Sequence, residues 1–280
     1  MFYLLNRFIQ MKILYKNNDL IEALKNVSKL GFVPTMGSLH EGHFSLITQS
    51  KKQCSKTIVS IFINPTQFDN KSDFKKYPKN HNKDLLALKK LNVDFVYLPN
   101  VKDIYNNKRK LKIKISKKDK ILCAKFRKGH FEGVIDVMDR LTNLIRPAKI
   151  FMGEKDFQQL YLVKNYIEKK YSSLIINCKT IRNKLKLALS SRNLLLNRKD
   201  LILAGKLSSH LIFFKKSLIK KRHIKKLLNT KKEYLKKTFK ISIEYLELRN
   251  MRSLKMSNKI KNSKIFIAYY LNGVRLIDNF

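Results

Sequence analysis

The chain reads Leu30-Gly31-Phe32-Val33-Pro34-Thr35-Met36-Gly37-Ser38-Leu39-His40-Glu41-Gly42-His43 across its first predicted strand and the turn that follows. The apolar residues 30–33 predict a buried strand, and an H-x-G-H element comes directly after it. Gly37 allows a sharp turn, and Gly42 leaves room for a phosphate or base to approach the main chain. Because a helix is predicted to begin near His43, its unpaired N–H groups face any anion bound there. The stretch therefore predicts a nucleotide-binding turn in an α/β fold.

The two imidazoles of this turn, His40 and His43, are candidate ligands of a polyphosphate. When protonated, each ring donates hydrogen bonds to phosphate oxygens and offsets the negative charge that develops on them. The same residues also fit a helix cap and turn that binds no ligand, and the motif alone does not separate these interpretations. Zinc is disfavoured because the H-E-x-x-H spacing of metalloproteases is absent.

The composition indicates a folded globular protein. The chain has 280 residues, of which 44% are hydrophobic, enough for one large or two modest domains with a buried core. No run approaches the roughly 18 apolar residues of a membrane span, and residues 1–9 lack the features of a secretory signal. Cys54, Cys123 and Cys178 show no C-x-x-C spacing, which fits free thiols in a reducing cytoplasm. Met11 is a second candidate start, so residues 1–10 are a candidate extension outside the core.

The chain is strongly basic, with a net charge of +41 from 61 Lys+Arg against 20 Asp+Glu. A charge of this size is typical of nucleic-acid-binding proteins. Here the excess is mostly lysine, is accompanied by many Asn and Ile residues, and extends over the whole chain, which indicates compositional drift. We expect weak, salt-sensitive binding to polyanions but no specific nucleic-acid site and no membrane partner.

Apolar runs alternate with helical patterns through the first two thirds of the chain, which is the βαβ signature of a parallel sheet. The strands are predicted at residues 30–33, 57–63, 94–98, 149–152 and 174–178. This order predicts a Rossmann-like, doubly wound α/β domain over residues 1–185. The remainder is helical and lysine-rich, then ends in three strand-like segments, which predicts a smaller α+β domain over residues 186–280.

Polar side chains follow two more of the predicted strands, at the edge where open α/β sheets bind ligands. Asn64 and Gln67 follow the second strand, and their amides suit a hydroxyl or carboxylate of a small polar substrate. Lys155 follows strand 149–152 and is the expected phosphate contact, with Asp156 expected to cap the next helix and Gln159 one turn further along it.

A further candidate loop, Ser190-Ser191-Arg192, lies near the predicted domain junction. Its two hydroxyls and its guanidinium suit a triphosphate, and its position favours a mobile lid. The same three residues also occur in plain turns.

Together these segments resemble the pantoate–β-alanine ligase family, which is related to the class I aminoacyl-tRNA synthetases and nucleotidylyltransferases. The resemblance extends from about Met11 to the end of the chain. The segments that support it are residues 34–43, 60–68, 129–134, 153–159, 189–193 and the terminal Arg275-Leu276-Ile277-Asp278-Asn279.

The resemblance implies a ligase that condenses (R)-pantoate with β-alanine to pantothenate and consumes ATP. The pantoate carboxylate attacks the α-phosphate, pantoyl adenylate and pyrophosphate form, and β-alanine then displaces AMP. His40, His43 and Lys155 are the implied catalytic residues, and the resemblance assigns His43 as a proton donor. The chemistry of attack at phosphorus favours charge stabilisation by His43 over a proton shuttle, since neither half-reaction requires an acid at the leaving pyrophosphate. Gln67 and Gln159 are implied to hold pantoate, a role for which the amide of Asn64 is also a candidate.

The resemblance also implies the surroundings of ATP, a metal ion and an assembly. Mg²⁺ is expected to bind mainly through the ATP phosphates, with Asp84 as a candidate protein contact, and the assembly is expected to be a homodimer. The residues implied to surround ATP are Met36, Gly37, His40, Gly42, His43, Gly153, Glu154, Lys155, Asp156, Ile181, Leu189, Ser190, Ser191 and Arg192.

The chain departs from the family pattern at three places. Cys123-Ala124 and Lys128 replace a Glu-Gly pair and a proline, Leu185-Lys186 replaces an Asp-Gly turn, and Lys83 replaces an acidic residue beside Asp84. These changes lie outside the predicted phosphate contacts, so we expect catalysis to be retained but slower, or the protein to be less stable.

Two other functions are compatible with the sequence. One is a basic RNA-binding protein that has kept the fold and lost catalysis, and the other is a nucleotidylyltransferase that stops at an adenylated product. Gln67 and Gln159 favour the ligase, because neither alternative needs a pocket for a small hydroxy acid.

Overall fold

A computed structural model describes residues 11–69, 71–105, 113–219 and 221–280, so the candidate extension at residues 1–10 lies outside the described residues. The larger unit contains a six-stranded sheet with the strand order β1-β4-β3-β2-β5-β6, and its neighbouring strands are parallel. The α/β class predicted from the sequence is confirmed. The strands are β1 (Lys12–Leu14), β2 (Leu30–Thr35), β3 (Lys56–Ile61), β4 (Phe95–Tyr97), β5 (Lys149–Gly153) and β6 (Leu174–Cys178).

Helices and short turns connect these strands and continue beyond them. Single 3₁₀ turns occur at Pro65–Gln67, Lys117–Asp119, Glu154–Asp156 and Ser191–Leu195. Within the described residues no helix is both long and apolar enough to cross a membrane. The helices are α1 (Asn17–Leu24), α2 (Glu41–Gln53), α3 (Lys71–Lys76), α4 (His81–Lys90), α5 (Val101–Ile104), α6 (Cys123–Phe126), α7 (His130–Ile145), α8 (Phe157–Lys170), α9 (Arg198–Ser217) and α10 (Ile224–Phe239).

The sheet is covered on both faces, because successive residues of each central strand point to opposite sides. On β2, Phe32 belongs to the core formed with α1, α7 and α8, whereas Val33 belongs to the core formed with α2 and α4. Ile150 and Phe151 on β5 divide in the same way. Both faces are therefore closed by helices, and ligands can reach the sheet at the ends of its strands.

The predicted C-terminal α+β unit is present as a three-stranded antiparallel sheet in the order β7-β8-β9, with β7 (Ser242–Asn250), β8 (Ser263–Leu271) and β9 (Val274–Asn279). Helices α9 and α10 share a buried apolar core with it. The two units also touch, since the rings of Phe157 on α8 and Phe266 on β8 lie 5.7 Å apart. The boundary that we predict between residues 185 and 186 falls in a short hairpin closed by an Arg182–Ala188 bridge.

Two predicted boundaries differ from the structure beside the candidate site. Helix α2 begins at Glu41, two residues before His43. The helical period of the apolar residues predicts a helix over Val134–Ile145, whereas α7 begins four residues earlier, at His130. The first turn of α7 holds one large apolar residue, Phe131, and both Phe131 and His130 are buried. Tertiary packing therefore extends both helices beyond what periodicity indicates.

Gly133 on α7 marks a close approach between the helix and the loop after β3. A Cβ atom at this position would lie 2.3 Å from the backbone oxygen of Thr66. We expect Gly133→Ala to lower the free energy of unfolding by about 1–3 kcal/mol, because the overlap is with backbone rather than with a flexible side chain. Urea unfolding of the purified variant measures this.

Gly153→Ala is the matched control, because a Cβ there meets nothing within 4 Å and the backbone φ is −77°. Its free energy of unfolding should stay within about 0.5 kcal/mol of the parent. Equal losses in the two variants would contradict a specific clash at Gly133.

Candidate active site

A cavity of about 240 Å³ opens at the carboxyl ends of β2, β3 and β5. It collects most of the site residues predicted from the sequence, including all three implied catalytic residues. Gly37, Glu154 and Asp84 are the predicted residues that do not line it. The predicted residues that do are Met36, His40, Gly42, His43, Asn64, Gln67, Gly153, Lys155, Asp156, Gln159, Ile181, Leu189, Ser190, Ser191 and Arg192.

The two histidines of the H-x-G-H element form the N-terminal cap of α2. The backbone N–H of Gly42 donates to Nδ1 of His40 over 3.1 Å, and the N–H of His40 donates to Nδ1 of His43 over 3.3 Å. The two ring centroids lie 4.1 Å apart. Because both Nδ1 atoms accept hydrogen bonds, each neutral ring carries its proton on Nε2 and can donate it to a ligand. The two histidines therefore cap a helix in the free protein. Their Nε2–H groups are still able to bind a ligand, so the cap does not exclude that role.

The protonated form considered from the sequence is not the form of these histidines in the free protein. Burial lowers the pKa of His40 to about 4, and the nearby Lys155 ammonium acts in the same direction. Burial also lowers the pKa of His43 to about 3, with His40 and Lys155 contributing to the decrease. At neutral pH both rings are uncharged Nε2–H donors, so the positive charge of the site comes from other side chains.

Asp84 stabilises the turn between β2 and α2 through hydrogen bonds to its backbone. Its two carboxylate oxygens accept the backbone N–H groups of Ser38 and Leu39, each over 2.8 Å, and its side chain is buried. Ser38 has a φ of +53°, so these hydrogen bonds stabilise a backbone conformation that side chains disfavour. The sequence suggested Asp84 as a magnesium contact. In the structure both of its carboxylate oxygens instead accept hydrogen bonds from the backbone of the turn.

Asn64 and Gln67 form an interlocked pair after β3. Asn64 Nδ2 donates to Gln67 Oε1 and to the backbone oxygen of Gly133, each over 3.1 Å. Its Oδ1 accepts from the hydroxyls of Tyr105 at 2.8 Å and Thr66 at 3.0 Å. Since all polar atoms of the Asn64 amide have partners, Asn64 orients Gln67, whereas the sequence suggested that it offers a free amide to substrate.

Cationic side chains surround the opposite part of the cavity. Lys155 lies on the turn after β5, and its Nζ is 3.6 Å from Asp156 Oδ1. Asp156 precedes α8 but makes no capping hydrogen bond, contrary to expectation. Arg192 pairs with Asp73 at 2.7 Å, and Ser191 Oγ donates to the backbone oxygen of Ser38 over 3.1 Å. The loop after the domain junction is thus joined directly to the turn that follows β2.

Arg127 and His130 also line the cavity, as their place ahead of a helix with glycines nearby suggests, although no role was predicted for them. The His130 Nδ1–H donates to the backbone oxygen of Gln67 at 2.6 Å, and its Nε2 accepts from Arg127 at 2.9 Å. Burial, followed by the charge of Arg127, lowers the pKa of His130 to about 3, so this ring is neutral as well. The signal in the sequence is the Arg-x-x-His spacing directly before a predicted helix.

Lys179 and Thr180 were also missed. They line the cavity because they follow β6, the neighbour of β5 in the sheet. The sequence indicates these two residues only by their position directly after a predicted strand, since the residues that follow the strands of a parallel sheet reach the same edge.

Comparisons with known proteins give one consistent result. A model of the family described as pantoate-beta-alanine ligase matches residues 11–280. The chain is 38% identical over 275 residues to a pantothenate synthetase of Ruthia magnifica subsp. Calyptogena magnifica, covering 96% of this chain and 98% of the relative. It is 40% identical over 281 residues to a pantothenate synthetase of Buchnera aphidicola subsp. Acyrthosiphon pisum (strain 5A), covering 96% of this chain and 95% of the relative.

Solved structures agree with the sequence comparisons. A pantothenate synthetase from Thermus thermophilus superposes with a TM-score of 0.90 at 28% identity, covering 97% of this chain and 99% of that chain. A pantoate-beta-alanine ligase from Francisella tularensis, complexed with beta-gamma ATP and beta-alanine, superposes with a TM-score of 0.82 at 34% identity and covers 97% of both chains.

The lowered pKa of His43 makes stability depend on pH. The unfolded ring takes up a proton as the pH falls through about 6.5, whereas the folded ring stays neutral down to about 3. Stability contributed by this difference is present above pH 6.5 and is lost as the pH falls. We expect His43→Gln, which can keep the cap through its side-chain oxygen, to reduce the loss of unfolding free energy between pH 7 and 5 by about 1–2 kcal/mol.

Urea unfolding at both pH values measures this difference. His81→Gln is the matched control, because His81 is exposed at the start of α4 and should leave the pH dependence of the parent unchanged. The same pH dependence in His43→Gln and in the parent would show that His43 is protonated in the folded protein near pH 6.

Proposed function

The chain belongs to the pantoate-beta-alanine ligase family, and from that premise we propose how its cavity carries out the reaction of that family. The protein condenses (R)-pantoate with β-alanine at the expense of ATP, and the products are pantothenate, AMP and pyrophosphate. The observation that supports this function best is that one cavity contains phosphate-binding groups around Lys155 and a pair of glutamine amides, Gln67 and Gln159.

ATP is proposed to bind along the N-terminus of α2 and the loops after β5 and β6. The Nε2–H groups of His40 and His43 point to the phosphates as neutral donors, while Lys155 and Arg192 supply positive charge. These groups are held in place before the reaction begins, so little reorganisation accompanies the growth of charge at the α-phosphate. His43 then acts as a hydrogen-bond donor to the departing pyrophosphate and needs no second proton.

Pantoate is proposed to lie against Gln67 and Gln159, with its two methyl groups on the apolar wall of the cavity. That wall includes Phe62, Val134 and Met138. Gln67 is held by Asn64 at Oε1, which directs its NH₂ group toward the cavity and toward Met36 Sδ at 2.9 Å. In this position the pantoate carboxylate faces the α-phosphate and attacks it to form pantoyl adenylate.

The second half-reaction needs no protein nucleophile. The amine of β-alanine attacks the acyl carbon of the adenylate, and AMP leaves because the mixed anhydride is already activated. The cavity lining contains Arg127, Lys155, Lys179 and Arg192 against one carboxylate, Asp156. This excess of positive charge attracts anionic ATP and pantoate and the carboxylate of zwitterionic β-alanine. The cavity walls also limit hydrolysis of the adenylate by water.

Mg²⁺ is proposed to arrive with ATP. Among the described residues no group of three or more His, Cys, Asp or Glu side chains could hold a metal ion, and Asp156 is the one carboxylate lining the cavity. A single carboxylate together with phosphate oxygens fits Mg²⁺, which commonly keeps several waters. When bound, the ion neutralises part of the triphosphate charge. Asp84 is not part of this proposal, because its oxygens hold the loop.

The organisation of the protein is proposed by likeness to the family. We propose a cytoplasmic homodimer in which residues 186–280 form a lid over the unit at residues 1–185. The net charge of +41 opposes association at low salt, so the dimer should appear at moderate ionic strength. Sedimentation at about 0.15 M salt, where the screening length is about 8 Å, tests this directly. A monomer at every concentration would remove the dimer from the proposal.

The reaction itself is tested by measuring AMP and pyrophosphate from ATP and Mg²⁺ with pantoate, β-alanine or both. We expect sustained AMP release only when both acids are present. Lys155→Ala should lower this rate by about 10²–10³-fold, because it removes a charge aimed at the phosphates. Lys164→Ala is the matched control, since Lys164 lies on α8, is half-exposed and pairs with Glu168.

Other outcomes identify the alternatives. Sustained pyrophosphate release that is independent of β-alanine would indicate a nucleotidylyltransferase. The absence of both products, with RNA co-purifying at moderate salt, would indicate a binding protein. An unchanged rate in Lys155→Ala would remove Lys155 from the site while leaving the reaction in place.

A further inference from the structure

The end of the chain reaches the turn that carries Lys155. Strand β9 ends at Asn279, whose side chain is buried. Asn279 Nδ2 donates to the backbone oxygen of Glu154 over 2.8 Å and to that of Lys155 over 2.9 Å. A residue of the C-terminal sheet therefore holds two consecutive carbonyls of a turn in the larger unit.

The orientation of this amide is determined by its other end. Lys264 Nζ donates to Asn279 Oδ1 over 2.9 Å and also pairs with Glu154 Oε2 at 2.8 Å. A lysine can only donate, so it selects the oxygen of the amide and turns the NH₂ group toward the two carbonyls. The lysine thus ties both the amide and the turn to β8.

The preceding residue anchors the second phosphate-facing loop. Both carboxylate oxygens of Asp278 accept from Arg182, at 2.7 and 2.8 Å. Arg182 donates in turn to the backbone oxygen of Lys186 over 2.9 Å, within the hairpin that leads to Ser190. The end of β9 therefore sets the position of the Lys155 turn relative to the loop that carries Arg192.

The position of the Lys155 ammonium depends on its backbone. The ion pair between its Nζ and Asp156 Oδ1 measures 3.6 Å, which is longer than a hydrogen bond. Gly153, two residues before Lys155, has no side chain that could hold the turn. The hydrogen bonds from Asn279 include one to the carbonyl of Lys155 itself, close to the start of its side chain.

We propose that Asn279 is a positioning residue for Lys155: its amide fixes the backbone of the turn at Glu154 and Lys155, so that the ammonium meets the ATP phosphates in a reactive geometry. The proposal rests on the role of Lys155 proposed above. The C-terminal sheet thereby takes part in catalysis without touching substrate. Small displacements of a catalytic group of about 1 Å reduce rates by up to about 10²-fold, which gives the scale of the effect.

The test is a double-mutant cycle on AMP formation with the full chain at saturating substrates. Asn279→Ala should lower kcat about 10- to 100-fold and leave the KM for pantoate near that of the parent. The double variant Asn279→Ala with Lys155→Ala should be no slower than Lys155→Ala alone, because the amide acts through the lysine. Effects that multiply in the double variant would overturn the proposal.

Two further variants separate positioning from loss of stability. Asn250→Ala is the matched control, because the side chain of Asn250 also makes two hydrogen bonds to consecutive backbone groups, here accepting from the N–H groups of Arg252 and Ser253 at the end of β7, away from the cavity. It should keep the kcat of the parent. Asn279→Asp keeps the shape and the contact with Lys264 but cannot donate to the two carbonyls, so it tests the same hydrogen bonds if the alanine variant does not fold. A parental kcat in folded Asn279→Asp would overturn the proposal.

The same variants separate a failure of the role proposed for Lys155 from a failure of the role proposed for Asn279. If Lys155→Ala retains the parental rate, the proposed role of Lys155 is wrong, and the positioning role is wrong with it. If Lys155→Ala is slow and Asn279→Ala retains the parental rate, the role of Lys155 stands and only the positioning role of Asn279 is wrong.

Discussion

The parallel pairing of β2 with β3 on one side and with β5 on the other is the constraint on which the cavity depends. Parallel strands run in one direction, so the segments that follow them emerge at the same edge. The turn after β2 supplies His40, the loop after β3 supplies Gln67, and the turn after β5 supplies Lys155. Helices cover both faces of the sheet through alternating residues such as Phe32 and Val33, which leaves that edge open to ligands.

The same side chains serve the fold and the site at this edge. The Nδ1 atoms of His40 and His43 cap α2, and this leaves an Nε2–H on each ring for a ligand. Burial keeps both rings neutral, so in the proposed site the positive charge facing the triphosphate comes from Lys155 and Arg192. Asp84 contributes through the backbone, since it holds the turn from which the histidines project. Hydrogen-bond donors and positive charge in the cavity thus come from different side chains.

The C-terminal sheet is joined to the cavity by polar contacts as well as by apolar packing. The Phe157 and Phe266 rings bring the two units together, and Asn279 and Asp278 then hold the two loops that we propose bind phosphate. This arrangement accounts for the terminal segment, residues 275–279, as part of the family resemblance even though it lies outside the lining of the cavity. A short strand at the end of the chain can influence the proposed reaction because it hydrogen-bonds to main-chain atoms of the turn that carries Lys155.

The sequence by itself determined the parallel α/β class and the smaller C-terminal α+β unit, because apolar periods and strand-end positions are local properties. Strand-end positions also indicated cavity residues such as His40, Gln67 and Lys155, and the family resemblance implied others such as Ile181 and Leu189. It also indicated Lys155 and the loop at Ser190 through their places after predicted elements. Only the tertiary structure decided that the histidines are neutral, that Asn64 supports Gln67, and that Asn279 reaches the Lys155 turn. These features depend on burial and on partners distant in the chain, and pattern and spacing contain no information about either.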